Sequence, residues 1–157
     1  MNKQVWIEKA IGLGIQEFEI YQSTTVEKEM TWFQGQMDTL VSSKVTGTSI
    51  RGIVDGKMAN MALEEIDDSM CETVLKSLIE QAHIISNEET DSLRKPEPIE
   101  YVKKDVTWNM ASTEYVKNIL QSLEAKILAY DPRVIQVGYL GYSQGSGSRS
   151  IVNSLAW

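Results

Sequence analysis

Between Phe18 and Leu63 apolar positions recur with a period of two, in five short runs separated by turn residues. Phe18 and Ile20 alternate with Glu17 and Glu19, which predicts a strand with one wet face. Val26, Met30 and Trp32 share one face of a second run, and Gln34-Gly35-Gln36 supplies a turn before a strand over 37–41. The Lys44–Gly47 stretch predicts another turn, followed by strands over 48–54 and 57–63. Asp55-Gly56 joins those last two. A type I′ turn needs positive φ at both central positions, and Asp-Gly supplies them at little cost. Short connections favour antiparallel neighbours, so the runs form a meander.

The period changes to that of a helix elsewhere. Val5, Trp6, Ala10 and Leu13 predict a short helix from about 2 to 13, with Gly14 as its left-handed stop. From Ile66, the residues Met70, Cys71, Val74, Leu75, Leu78, Ile79, Ala82 and Ile85 make one broad apolar stripe. Ser69 with Glu72 fits a capping box at its start, Asp67 is an alternative cap, and Asp68 favours the helix dipole. The stretch over 87–104, with Pro96 and Pro98, reads as an extended surface connection and the most mobile part of the chain. A third helix over 112–130 groups Val116, Ile119, Leu120, Leu123 and Ile127 and stops at Asp131-Pro132. Strands over 134–143 and 149–155, joined by a turn at 144–148, complete the pattern. The expected fold is α+β: a mostly antiparallel twisted sheet with three helices packed on it.

Composition narrows the function. A chain of 157 residues, 42% hydrophobic and 24% charged, suits one domain that buries about 70% of its unfolded surface. Its formal charge of −7 repels a phosphate backbone and argues against direct nucleic-acid binding. The single cysteine, Cys71, forms no internal disulfide, and no run reaches the roughly 20 apolar residues of a membrane span. A cytoplasmic protein without a membrane partner is the expectation.

Few groups carry chemistry. Gly141-Tyr142-Ser143-Gln144-Gly145 fits the G-x-S-x-G elbow of α/β-hydrolases, which works only between a strand and an immediate helix, with acid and histidine following. Here Gly-Ser-Gly-Ser follows, and the sole histidine, His83, lies upstream, so a glycine-rich turn is the better reading. His83 and Cys71 lie more than about three turns apart on one helix and cannot converge within the 2.0–2.3 Å, roughly, of a shared zinc. Each is expected to be structural. The acidic groups Glu64-Glu65-Asp67-Asp68 and Glu88-Glu89-Asp91 lack the spacing of a calcium loop and read as solvated surface. No catalytic, cofactor or metal residue is therefore assigned. Arg51 beside Gly52 has two readings: a solvent-face arginine paired with a cross-strand carboxylate, or, with Asp55 and Gly56, a surface that meets a peptide or another domain.

Taken in order, the strand bearing Arg51 and Gly52, the Asp55-Gly56 turn, the next strand, the acidic cap Asp67-Asp68-Ser69 and the long helix resemble the N-terminal region of the TldD/PmbA family. Asp131-Pro132-Arg133-Val134 and the pair Asn153-Ser154 fall in matching order and place the resemblance closer to PmbA-like members. Those proteins are named as modulators of DNA gyrase and regarded as related to zinc metalloproteases. The resemblance implies a peptide substrate, two related subunits around an enclosed chamber, and zinc held by histidines of a C-terminal domain. It also implies that residues 1–157 are an N-terminal domain without that C-terminal part, an expectation that the apolar ending Ile151, Val152, Leu155, Ala156, Trp157 supports. The chain would then be a non-catalytic scaffold, its relation to gyrase indirect. The alternative is a stand-alone module that binds a ligand or partner.

Overall fold

The computed structural model describes residues 1–64, 66–86, 89–95, 97 and 109–156. Its elements are α1 (Lys3–Gly12), β1 (Glu17–Phe33), β2 (Gln36–Val54), β3 (Lys57–Leu63), α2 (Cys71–Ile84), α3 (Thr113–Leu128) and β4 (Leu140–Asn153), with short 3-10 turns at Asp68–Met70 and Ser154–Ala156. Among the described residues the fold is α+β, with an antiparallel sheet of order β3-β2-β1-β4. Both two-residue turns of the meander have the expected geometry. Gln34 and Gly35 have φ of 48° and 78°, Asp55 and Gly56 of 49° and 73°.

The chain packs as two compact units, one of Met1–Thr24, Thr46–Tyr101 and Ser148–Trp157, the other of Thr25–Val45 and Val102–Gly147. In the first, Trp6, Ile7 and Ala10 of α1 bury against Phe18 and Ile20 of β1, Ile50 and Val54 of β2, and Val74, Leu75 and Leu78 of α2. Each large side chain of that core contributes about 1.5–3 kcal/mol. α1 opens on Asn2, whose carboxamide accepts from the Val5 amide, and closes with Gly14 at φ 93°. In the second unit Met30 and Trp32 of β1 meet Val116 and Leu120 of α3, which Ser112 caps by accepting from the Tyr115 amide.

The structure departs from the sequence pattern in several places. Lys44–Gly47 does not turn: β2 runs through it, and Gly47 stays out of the positive-φ backbone found at the true turns. Likewise 144–148 is not a turn, because β4 passes straight through Gly145 and Gly147. A Cβ on Gly145 would lie 3.4 Å from both Glu27 Cγ and the Val26 carbonyl oxygen, ordinary contact distances, so the extended strand there has room for a side chain and the glycine marks no bend. The strand begins at Leu140, and 134–139 are not in it. On α3 the buried positions are Val116, Leu120 and Glu124, leaving Ile119 and Leu123 exposed. The face expected to be wet on β1 is closed at Glu19, which is buried.

The connection over 87–104 falls partly outside the described residues, but 89–95 is pinned to the first unit. Asp91 donates its amide to the Gly56 carbonyl at 2.9 Å and accepts from the Met58 amide at 3.0 Å, while Leu93 is buried and donates its amide to Glu17.

Candidate functional site

The sequence singled out Arg51, Gly52, Asp55 and Gly56, and the hairpin that carries them pairs Val54 with Lys57, Gly52 with Ala59 and Arg51 with Asn60. Alternation along β2 sends neighbours to opposite faces, which separates Arg51 from Gly52. Gly52 is buried: a Cβ there would lie 2.9 Å from Ile15 Cγ2 and 3.0 Å from Leu78 Cδ2, so the missing side chain is what lets those two chains seat against the sheet. Asp55 sits at the exposed tip, 3.5 Å from His83 Nε2. Gly56 is docked, its amide donating to Gln16 Oε1 at 3.0 Å and its Cα facing Thr90, whose Cγ2 a Cβ would approach to 3.0 Å.

On the other face Arg51 joins a polar network. Its Nε donates to Glu19 Oε1 at 2.7 Å, the cross-strand carboxylate that its bland reading required. Glu19 Oε2 also accepts from Asn153 Nδ2 at 3.4 Å, and the same amide nitrogen donates to the Arg94 carbonyl at 3.2 Å. Asn153 Oδ1 accepts from the Leu155 amide at 3.1 Å, and Ser154 Oγ from the Phe18 amide at 2.9 Å. The pair Asn153-Ser154 thus ties the end of β4 to the start of β1 and to the 89–95 segment. Buried carboxylates persist where they are paired and hydrogen-bonded, and Glu19 is both. Residue spacing gave no sign of this joint, since its members lie 32 to 134 positions apart.

Ser143 is exposed, the fourth residue of β4, with no helix immediately following, and the neighbouring Gln144 Oε1 accepts from the Ala111 amide at 2.9 Å and from the Tyr142 hydroxyl at 2.7 Å, anchoring the approach to α3. The elbow geometry that activates a serine is absent there. Cys71 is buried, and that burial pushes its thiol above the ordinary value, which disfavours the reactive thiolate. Asp67 accepts from the Ser69 hydroxyl and amide, which hold its carboxyl below the usual range, and caps the 3-10 turn ahead of α2. Asp68 Oδ1 accepts from the Asn2 amide at 2.8 Å and from Trp6 Nε1 at 2.9 Å, and those donors lower its pKa also. Glu72 pairs with Lys76 instead of closing the expected capping box. Glu65 and Glu88 lie outside the described residues. Among the described residues no three His, Cys, Asp or Glu side chains converge as a metal centre requires.

With this geometry in view, comparison with known families is decisive. Residues 18–86, from the first strand through α2, match the family model described as PmbA/TldA metallopeptidase domain 1. Over those residues the chain has the sequence of a first domain of the PmbA/TldD family. Its fold recurs in TldE from Thermococcus kodakarensis, with a TM-score of 0.82 at 17% identity over 98% of this chain and 35% of that one. It recurs in two proteins titled as candidate modulators of DNA gyrase. The one from Thermotoga maritima has a TM-score of 0.75 at 17% identity over 99% of this chain and 35% of its own, and the one from Bacteroides thetaiotaomicron 0.71 at 17% over 98% and 36%. The chain therefore spans about a third of the length of those solved relatives. No curated protein matches it. Among the described residues no helix is long and apolar enough to cross a membrane.

Proposed function

We propose that the chain acts as a non-catalytic N-terminal scaffold in a PmbA/TldD-type protein, lining a peptide-processing chamber and contacting a related subunit in a homo- or heterodimer. The observation that carries the reading is the outer edge of β3. Antiparallel pairing from Val54↔Lys57 to Thr48↔Leu63 alternates inward and outward backbone groups, so the amides of Met58, Asn60 and Ala62 point away from β2. Asp91 takes the first of these, while Asn60 and Ala62 are exposed. An extended peptide adds to such an edge through main-chain hydrogen bonds and leaves little trace in the sequence. The buried Cys71 and the contact of His83 with Asp55 suit a framework role, and zinc is expected of a C-terminal domain in metal-binding family members. The charge of −7 favours an indirect link to gyrase, and the single buried cysteine suits a cytoplasmic setting.

The test uses the full-length protein with its partner subunit. Asn60→Pro removes one outward amide and leaves the inward ladder of the edge strand intact. Turnover of an unstructured peptide should fall about tenfold, the loss of about 1.4 kcal/mol of binding. Arg51→Ala, on the adjoining strand, should impair turnover or assembly. Wild-type turnover and assembly in both variants would remove the proposal.

A further inference from the structure

The second unit contains a charged group that neither the scaffold role nor the joint at Glu19 uses. Glu124 lies on the buried face of α3, one helical step beyond Leu120, and is only 8% exposed. Its Oε2 accepts from Trp32 Nε1 at 2.7 Å and its Oε1 from the Gly35 amide at 3.2 Å, at the tip of the β1–β2 turn. Both donors are neutral. No described Lys, Arg or His pairs with it. A carboxylate offers about four acceptor positions, and these two bonds occupy one on each oxygen. The rest border a groove of 410 Å³ walled by Gly35, Leu128, Ile135 and Val137, with the amides of Gln34 and Gln136 also lining it. Ile135, at its rim, is 90% exposed.

We infer that this groove receives a lysine or arginine side chain from another polypeptide. A buried carboxylate without a cation attracts one strongly, because little water competes for it. Apolar walls beside a single charge match the methylene stem of a basic residue, whose head alone needs a polar partner. The two glutamine amides add donors and acceptors suited to the incoming main chain. The site lies wholly in the second unit and does not require the peptide-processing reading.

The indole N–H of Trp32 is the reporter, since it donates to the carboxylate that the cation would engage. Titrating the 15N-labelled chain with Nα-acetyl-lysine amide or Nα-acetyl-arginine amide should shift that resonance saturably. Nα-acetyl-norleucine amide, of equal stem length without the charge, should bind at least tenfold more weakly. Glu124→Gln should abolish the response. Should that variant lose its fold, Ile135→Lys, at an exposed wall, should keep the fold and weaken binding at least tenfold by placing a competing cation beside the carboxylate. No saturable shift with either basic probe, an equal shift with norleucine, or unaltered binding in Ile135→Lys would overturn the assignment. Equal binding of 1,5-diaminopentane would also overturn it, by showing a free-amine site in place of a polypeptide one.

Discussion

Gly52→Ala should destabilise the protein although it adds only one methyl group to an extended backbone that any residue can adopt. The new Cβ would sit 2.9 Å from Ile15 Cγ2 and 3.0 Å from Leu78 Cδ2, distances at which one of the two must move. Ile15 is 1% exposed and β-branched, and Leu78 is fully buried between α2 and the sheet, so neither has free space to enter. Overpacking of this kind costs about 1–3 kcal/mol. The smaller entropy of the unfolded alanine chain returns about 0.4–1 kcal/mol. The net loss is about 1–2 kcal/mol, which for a chain of this size lowers the melting midpoint by about 2–8 °C. Urea denaturation followed by the fluorescence of buried tryptophan measures it. Leu78→Ala alone should cost about 2–5 kcal/mol through its cavity, and the double variant should be less damaged than the sum, with a coupling of about 0.5–3 kcal/mol. Gly52→Ala as stable as wild type, or strict additivity with Leu78→Ala, would refute the packing argument.

Three further outcomes follow from named contacts. The Asn2 amide and the Trp6 indole donate to Asp68 and hold its carboxyl below the usual carboxylate range, so its contribution is present above the unfolded pKa and is lost as pH falls through the lower folded value. Asp68→Asn should therefore reduce the urea midpoint at pH 7 and flatten its fall below about pH 4, and an unchanged acid limb would contradict the assignment. Asn153→Ala removes the donor shared by Glu19 and the Arg94 carbonyl and should cost about 1–3 kcal/mol, with faster amide exchange over 89–95; wild-type exchange there would show that the segment is held by other means. Ser143→Ala should leave peptide turnover by the full-length protein within twofold of wild type and leave labelling by a serine-reactive fluorophosphonate unaltered, and a large fall in either would revive the elbow.

The meander and the helices were legible because each rests on local chemistry. Asp55-Gly56 and Gln34-Gly35 adopt the positive φ that two-residue turns demand, and α2 keeps its apolar stripe at Val74, Leu75 and Leu78. The misread segments, 44–47 and 144–148, share a different logic. Glycine permits a turn without requiring one, and a paired strand also accepts it in extended backbone, as at Gly47 and Gly145. Deciding between the two needs the partner strand, which local composition does not reveal. The 89–95 segment lies largely at the surface, as its polarity suggested, but it is also fastened: Leu93 is buried and Asp91 spends its carboxylate on the edge amide of Met58.

Functional groups were harder to read because their partners are distant in sequence, yet they left one local trace. Glu19 stands between the buried Phe18 and Ile20, and Glu124 follows Val116 and Leu120 at the four-residue spacing of a buried helical face. Alternation puts Glu19 on the face of β1 that the pattern predicts to be wet, whereas Glu124 is a carboxylate where the helical pattern calls for burial. A charge in such a place is costly unless something meets it, so its presence implies a partner even before that partner can be named. For Glu19 the partner is internal, Arg51, assisted by Asn153. For Glu124 the internal partners are the neutral Trp32 and Gly35, which orient the group and leave its charge unmatched. The two buried carboxylates thus separate, once the contacts are known, into a joint that is complete and a groove that still has a cation to receive.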